Sequence, residues 1–122
     1  MKTYLLGALA ALALSLQAGA VLAHHGWAWT SGGNIELTGI IQSAELGNPH
    51  GVLKVDAEGE IWTVEVGQPW RNERAGVRDG DLAPGVEIRV IGEPAADPED
   101  KLLKAERFYI GDREVILYPD RN

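Results

Sequence analysis

Three histidines are the side chains of this sequence best suited to chemistry, and the sharpest hypothesis their placement offers is metal ligation. His24 and His25 are adjacent and directly follow Val21-Leu22-Ala23; His50 follows Asn48-Pro49. Neutral imidazole is a common ligand for copper, zinc and nickel. A chain cut after Ala23 begins at His24, which then offers one ion both its α-amine and Nδ1. A second imidazole completes a T-shaped set of three nitrogens. Neighbouring side chains on extended backbone point to opposite sides, so His24 pairs more readily with His50, leaving His25 spare or supporting. The competing reading is a solvated N-terminus and a turn histidine bonded to backbone. Composition narrows the ion. There is no cysteine, and the single methionine is Met1, so a mature chain has no thiolate or thioether for Cu(I) and no Cys-containing zinc site. Nitrogen and oxygen donors suit Cu(II) best, ahead of Zn(II) and Ni(II).

Other constellations carry less. Ser31 and Ser43 have no nucleophile elbow around them. Asp97, Glu99 and Asp100 lack the twelve-residue ligand pattern of an EF-hand and read as a solvating loop. Arg71, Glu73 and Arg74 read as the solvated face of a short helix. Among four tryptophans, Trp62 is expected in the core and Trp70 against the barrel end. Trp27 and Trp29, beside the histidines, either shield a metal or form an exposed binding platform. With 18 acidic against 11 basic residues and a formal charge of −7, the chain suits cations and is a poor match for nucleic acid.

Residues 1–23 have the parts of a secretory signal. Lys2 supplies the positive start, Leu5–Leu16 the uncharged apolar stretch, and small residues precede the cut. The stretch is too short to cross a bilayer, which takes about 20 residues. Val21-x-Ala23 is the favoured cleavage motif and Ala18-x-Ala20 the alternative. Loss of Lys2 moves the formal charge from −7 to −8. What remains, residues 24–122, is expected to be one small soluble domain, periplasmic or secreted, with no membrane span.

The elements that must position the histidines follow from periodicity. Ile35–Leu46 reads as a long strand with a bulge or bend at Gly39. Val52–Asp56 and Glu60–Val66 read as a hairpin around Ala57-Glu58-Gly59, and Glu60–Val66 is the cleanest alternation in the chain. Pro69 to Gly76 has proline at a first helical turn and glycine at a C-terminal cap. Val86–Ile91, Leu102–Ile110 and Glu114–Tyr118 read as further strands, with Glu93–Lys101 an exposed loop. Three strands, one short helix, then more strands predict an all-β fold: a small five- to six-stranded, partly open barrel of the OB type.

Ala23-His24-His25, Asn48-Pro49-His50 and the stretch Leu82–Pro94 together resemble a domain-of-unknown-function family of small exported bacterial proteins. Its members start the mature chain at Ala-His-His and carry Asn-Pro-His after the first strand. The resemblance spans nearly the whole chain and implies export and a β-barrel-like domain. An aromatic residue often precedes the family's Asn-Pro-His, whereas this chain has Leu46-Gly47.

The functional expectation is a non-catalytic barrel that binds copper through His24, His50 and His25, for capture or delivery. The first rival is an interaction module that takes an envelope protein, peptide or sugar through Trp27, Trp29 or Trp70. The second is an oxidative copper enzyme, for which so small a chain offers little substrate surface.

Overall fold

The structure, a computed structural model, describes residues 26–121. Its elements are β1 (Ile35–Glu45), β2 (Val52–Ala57), β3 (Glu60–Glu65), α1 (Pro69–Arg74), β4 (Glu87–Pro94), β5 (Leu102–Ile110) and β6 (Arg113–Ile116). The sheet order is β3-β2-β1-β4-β5-β6, and β3 also pairs with β5. This last pairing is parallel, from Thr63↔Leu102 to Glu65↔Lys104. It closes five strands into the expected OB-type barrel, with β6 as an extra strand on β5. The single helix lies between β3 and β4.

Alternation decides which residues enter the barrel. Leu37, Gly39 and Ile41 of β1 face inward, as do Leu53, Val55 and Ala57 of β2. Ile88 and Val90 of β4 meet Leu103, Ala105 and Phe108 of β5, and all five are buried. β1 is long enough to serve two partners: Ile35–Ile40 pairs with β4 and Ile40–Glu45 with β2. The register break in β1 lies between Ile41 and Ser43, not at Gly39. Gly39 is required for another reason: a Cβ there would lie 2.3 Å from the Asp56 carbonyl oxygen.

A second bulge matters more. Between β4 and β5 the register passes from Ile91↔Arg107 to Gly92↔Ala105, so Glu106 is the extra residue. Its carbonyl accepts from both Leu117 N and Tyr118 N, at 2.9 and 3.1 Å. β5 therefore changes partner at Glu106, with Leu102–Lys104 on β3 and Arg107–Ile110 on β6. A bulge bends its strand and re-aims side chains, and this one leaves Glu106 buried on the outer wall.

Glu93, expected to open an exposed loop, instead lies within β4 and is 2% exposed. Its carboxylate is covered by Thr30 and Arg121 from the two ends of the described chain. Trp62 packs half-buried against the core. Trp70 does not seal the barrel end; it is 53% exposed.

Candidate functional site

His50 is held by glycine backbone at the end of β3. Gly51 N donates to Gly67 O at 2.9 Å, and Val66 N donates to Gly51 O at 2.9 Å. A Cβ on Gly51 would come within 2.6 Å of the Val66 side chain, so the loop approaches this closely only with glycine there. Asn72 of α1 locks the other side: its Oδ1 accepts from Gly67 N and its Nδ2 donates to Gly67 O, both at 2.9 Å. The Asn48-Pro49 bond before His50 is cis. A cleft of about 260 Å³ lined by Glu45, Asn48, Pro49 and His50 opens beside the ring.

The imidazole meets a buried carboxylate. His50 Nε2 lies 3.3 Å from Glu65 Oε1, and Lys104 Nζ lies 3.6 Å from the same oxygen. Glu65 and Lys104 are 6% and 5% exposed. They are cross-strand neighbours in the parallel β3–β5 closure, so the pair exists because the barrel closes. Burial lowers the Lys104 pKa from its ordinary value; Glu65 opposes that shift, and Arg121 and Arg71 add to it. A buried charge needs a partner, and each of these two supplies the other's.

Both ends of the described chain lie over this polar seam. The Trp27 ring is 5.0 Å from Lys104 Nζ and 3.9 Å from the Arg121 guanidinium. Tyr118 meets the Trp27 ring edge-on at 5.1 Å. Cations at these distances are attracted to the ring face. Arg121 Nη2 binds Glu93 Oε2 at 2.5 Å, while its Nε lies 3.5 Å from Glu106 Oε1. Thr30 Oγ1 donates to Glu93 Oε1 and Asn34 Nδ2 donates to Glu106 Oε2, each at 3.0 Å. Burial alone would raise the Glu93 pKa, but the hydrogen bonds from Arg121 and Thr30 outweigh it and hold the carboxyl below its ordinary value.

Arg71 is not a solvated helix charge. Its guanidinium sits 4.6 Å from the Trp70 ring centroid and 4.2 Å from that of Tyr118. Its Nη1 donates to Leu117 O and its Nε to Gln68 Oε1, both at 3.1 Å. Burial, the leading influence, raises the Tyr118 pKa.

Of the three histidines singled out in the sequence, His50 belongs to this seam; His24 and His25 lie outside the described residues, as do residues 1–23, which the sequence reads as a signal. Among the described residues no group of three or more His, Asp or Glu side chains is gathered to hold a metal ion. Glu65 and Lys104 are the site residues that sequence reasoning missed. The available signal is a carboxylate set between Val64 and Val66 at the end of the most regular strand. Trp27 and Trp29 are both half-buried, so neither forms an open platform; Trp70 does stand exposed. Among the described residues no helix is long and apolar enough to cross a membrane.

The barrel is shared with a known structure. The Stn1–Ten1 complex of S. pombe matches with a TM-score of 0.52 and 21% identity, over 66% of this chain and 59% of that one. A ZRD-deleted mutant of TiaS in complex with agmatine matches with a TM-score of 0.48 and 16% identity, over 63% of this chain and 21% of that one. The chain thus spans less than two thirds of either, and the likeness to Stn1–Ten1 concerns the OB fold alone. No curated protein matches the sequence. The profile of a family of unknown function, DUF6152, matches residues 11–103, and the chain belongs to that family.

Proposed function

We propose that the protein is an exported copper-binding barrel whose ligands are the α-amine and ring of His24 together with His50, with His25 in support. The observation that carries this reading is the docking of Trp27. Its ring contacts Lys104, Lys104 contacts Glu65, and Glu65 contacts His50, at 5.0, 3.6 and 3.3 Å in turn. His24 precedes Trp27 by three residues, a reach of about 10 Å in extended chain. The reading requires that reach to carry the His24 amine toward the His50 ring. The donors are nitrogen and oxygen, which suits Cu(II), with Zn(II) and Ni(II) behind it. Export through residues 1–23 to the periplasm or exterior supplies the free amine. The role is capture or delivery to an envelope partner, and the copper-loaded protein is expected to show no oxidase or peroxygenase turnover.

Cu(II) titration of the exported protein tests the reading. One ion per chain is expected, lost in His24→Ala and weakened in His50→Ala. Affinity should fall as pH drops through about 6.5, because a protonated imidazole cannot ligate. A protein that takes up no stoichiometric copper, or takes it up equally well without His24, overturns it. Intact mass of the exported form reports its first residue.

A second reading rests on Trp70. It stands beside a cleft of about 330 Å³ lined by Arg71, Arg74, Ile116, Leu117 and Pro119. An interaction module working there would keep its function in a triple His24/His25/His50→Ala variant and lose it in Trp70→Ala.

A further inference from the structure

Closing the barrel leaves one strand with an open edge. Among the described strands, β6 alone has a single partner, β5. Their pairing runs from Ile110↔Arg113 to Arg107↔Ile116 with no break in register. Gly111-Asp112 is a two-residue turn with Gly111 at φ 60°, so Ile110 and Arg113 form its hydrogen-bonded closing pair. Hydrogen-bonded and open pairs then alternate along the hairpin. Phe108 and Val115 bond each other, while Glu114 and Ile116 turn their N–H and C=O groups away from β5. Among the described residues these four backbone groups find no other hydrogen-bond partner.

The space beside this edge carries positive charge. No Cα of α1 lies within 8 Å of a Cα of β6, and an added strand needs a spacing of only about 4.8 Å. A cleft of about 330 Å³ lies between Trp70, Arg71 and Arg74 on one side and Ile116 and Pro119 on the other. Trp70 and Ile116 are 53% and 39% exposed. Arg71 is fixed by its two rings and by its bonds to Leu117 O and Gln68 Oε1, which leave Nη2 without a hydrogen bond among the described residues. Arg74, one turn further along the helix, is exposed. The arginines that bridge to described carboxylates are Arg89, Arg113 and Arg121, not these two. Asp120 lines the same cleft without bridging to either. The acidic charge of the rest of the chain does not cancel this field, since charges more than about 8 Å away are largely screened at physiological salt.

We infer that β6 accepts an extended acidic peptide as a further strand. This deepens the interaction reading at Trp70 and is independent of the histidines. The peptide backbone pairs with Glu114 and Ile116, as in other cases of strand addition. Side chains two residues apart share a face of the added strand. On the face over the cleft, an apolar side chain packs on Ile116 and the Trp70 ring, and a carboxylate reaches Arg71 Nη2 and Arg74. A guanidinium already held in place suits a planar carboxylate. Glu114 sets the polarity of the site. Its carboxylate is held by the Tyr109 hydroxyl on the same strand face as Ile116, so the acid belongs at the Ile116 end of the edge.

The test follows the amide and indole NMR shifts of the exported protein with the hexapeptide Glu-Glu-Val-Val-Glu-Glu, which shows acid, apolar, acid on each strand face. Shifts are expected at Glu114, Ile116 and Trp70, with binding weakened by salt. The same peptide N-methylated at every amide should not bind, and neither should its lysine counterpart. Trp70→Ala and Arg74→Glu, both changes of exposed side chains, should each weaken binding about tenfold. No shift with the acidic peptide, equal binding of the lysine peptide, or binding indifferent to N-methylation overturns the inference. Binding that survives N-methylation yet is lost in Trp70→Ala removes the added strand and leaves the Trp70 surface as an interaction site. The Trp70 reading itself falls only if Trp70→Ala keeps the protein's function.

Discussion

Val64 and Leu103 point into the barrel from the same strand segments whose next residues, Glu65 and Lys104, point outward beneath the chain ends. The two faces are buried to a similar degree and held in different ways. Inside, Val64, Leu103, Ala105 and Phe108 are apolar and sealed by alternation. Their burial is favourable in proportion to the area removed from water and needs no directional partner. Outside, Glu65, Glu93, Lys104 and Glu106 are buried charges. Each is tolerable only because a specific neighbour faces it. The interior can therefore be assembled by the strands alone, whereas the outer seam requires Trp27 and Thr30 from one end and Tyr118 and Arg121 from the other.

That contrast predicts different responses to mutation. The largest effect is expected inside. Phe108→Ala removes the largest fully buried side chain and should cost about 4 kcal/mol in urea unfolding, with neighbours inside the barrel left around a cavity. A cost below about 1 kcal/mol would mean that the interior is not the packed core described.

The next effect belongs to the seam. Glu65→Leu alone strands the Lys104 ammonium and should destabilise by about 3 kcal/mol. The double change Glu65→Leu/Lys104→Met should cost less than Glu65→Leu alone, since well-packed apolar residues can replace a buried ion pair at little net cost. Additive costs would show that the two charges are not coupled.

The smallest effect is a pH dependence. The Glu93 pKa is lowered in the folded protein, so between the two values the unfolded chain binds more protons. Its contribution is fully present above the ordinary carboxylate range, near 4.3. It is lost as pH falls through the lower folded value. Arg121→Met should flatten part of that acid loss in thermal melts. Some should persist, because Asp81, paired with Arg113, is also lowered: burial raises its pKa, and the Arg113 contact and the Arg78 backbone hydrogen bond together outweigh that. An unchanged profile would remove Arg121 as the cause.

Much of the barrel was legible in the sequence because its signals are local. Alternation at Glu60–Val66, the turn at Ala57-Glu58-Gly59, and Pro69 with Gly76 around the helix each act within a few residues. They place every strand start within a residue or so of the observed elements. The errors fall where contacts are distant along the chain. Glu93 reads as the start of a polar loop because Pro94 and the acids after it carry a loop composition. Its burial depends on Thr30 and Arg121. Arg71 reads as solvated because its helix is short and charged, while its actual neighbours include Leu117 and Tyr118. Gly39 suggests a bulge, but glycine is also selected by a close carbonyl, and composition does not separate the two.

The amino-acid order by itself determined the number of strands, their inward faces and the helix between the third and fourth. The tertiary structure alone decided that residues 27, 50, 65, 104 and 121 converge. Periodicity reports which face of a strand is apolar, but it carries no record of which distant strand pairs alongside. The parallel closure of β3 on β5 and the bulge at Glu106 are long-range events, and they set the buried carboxylate beside His50.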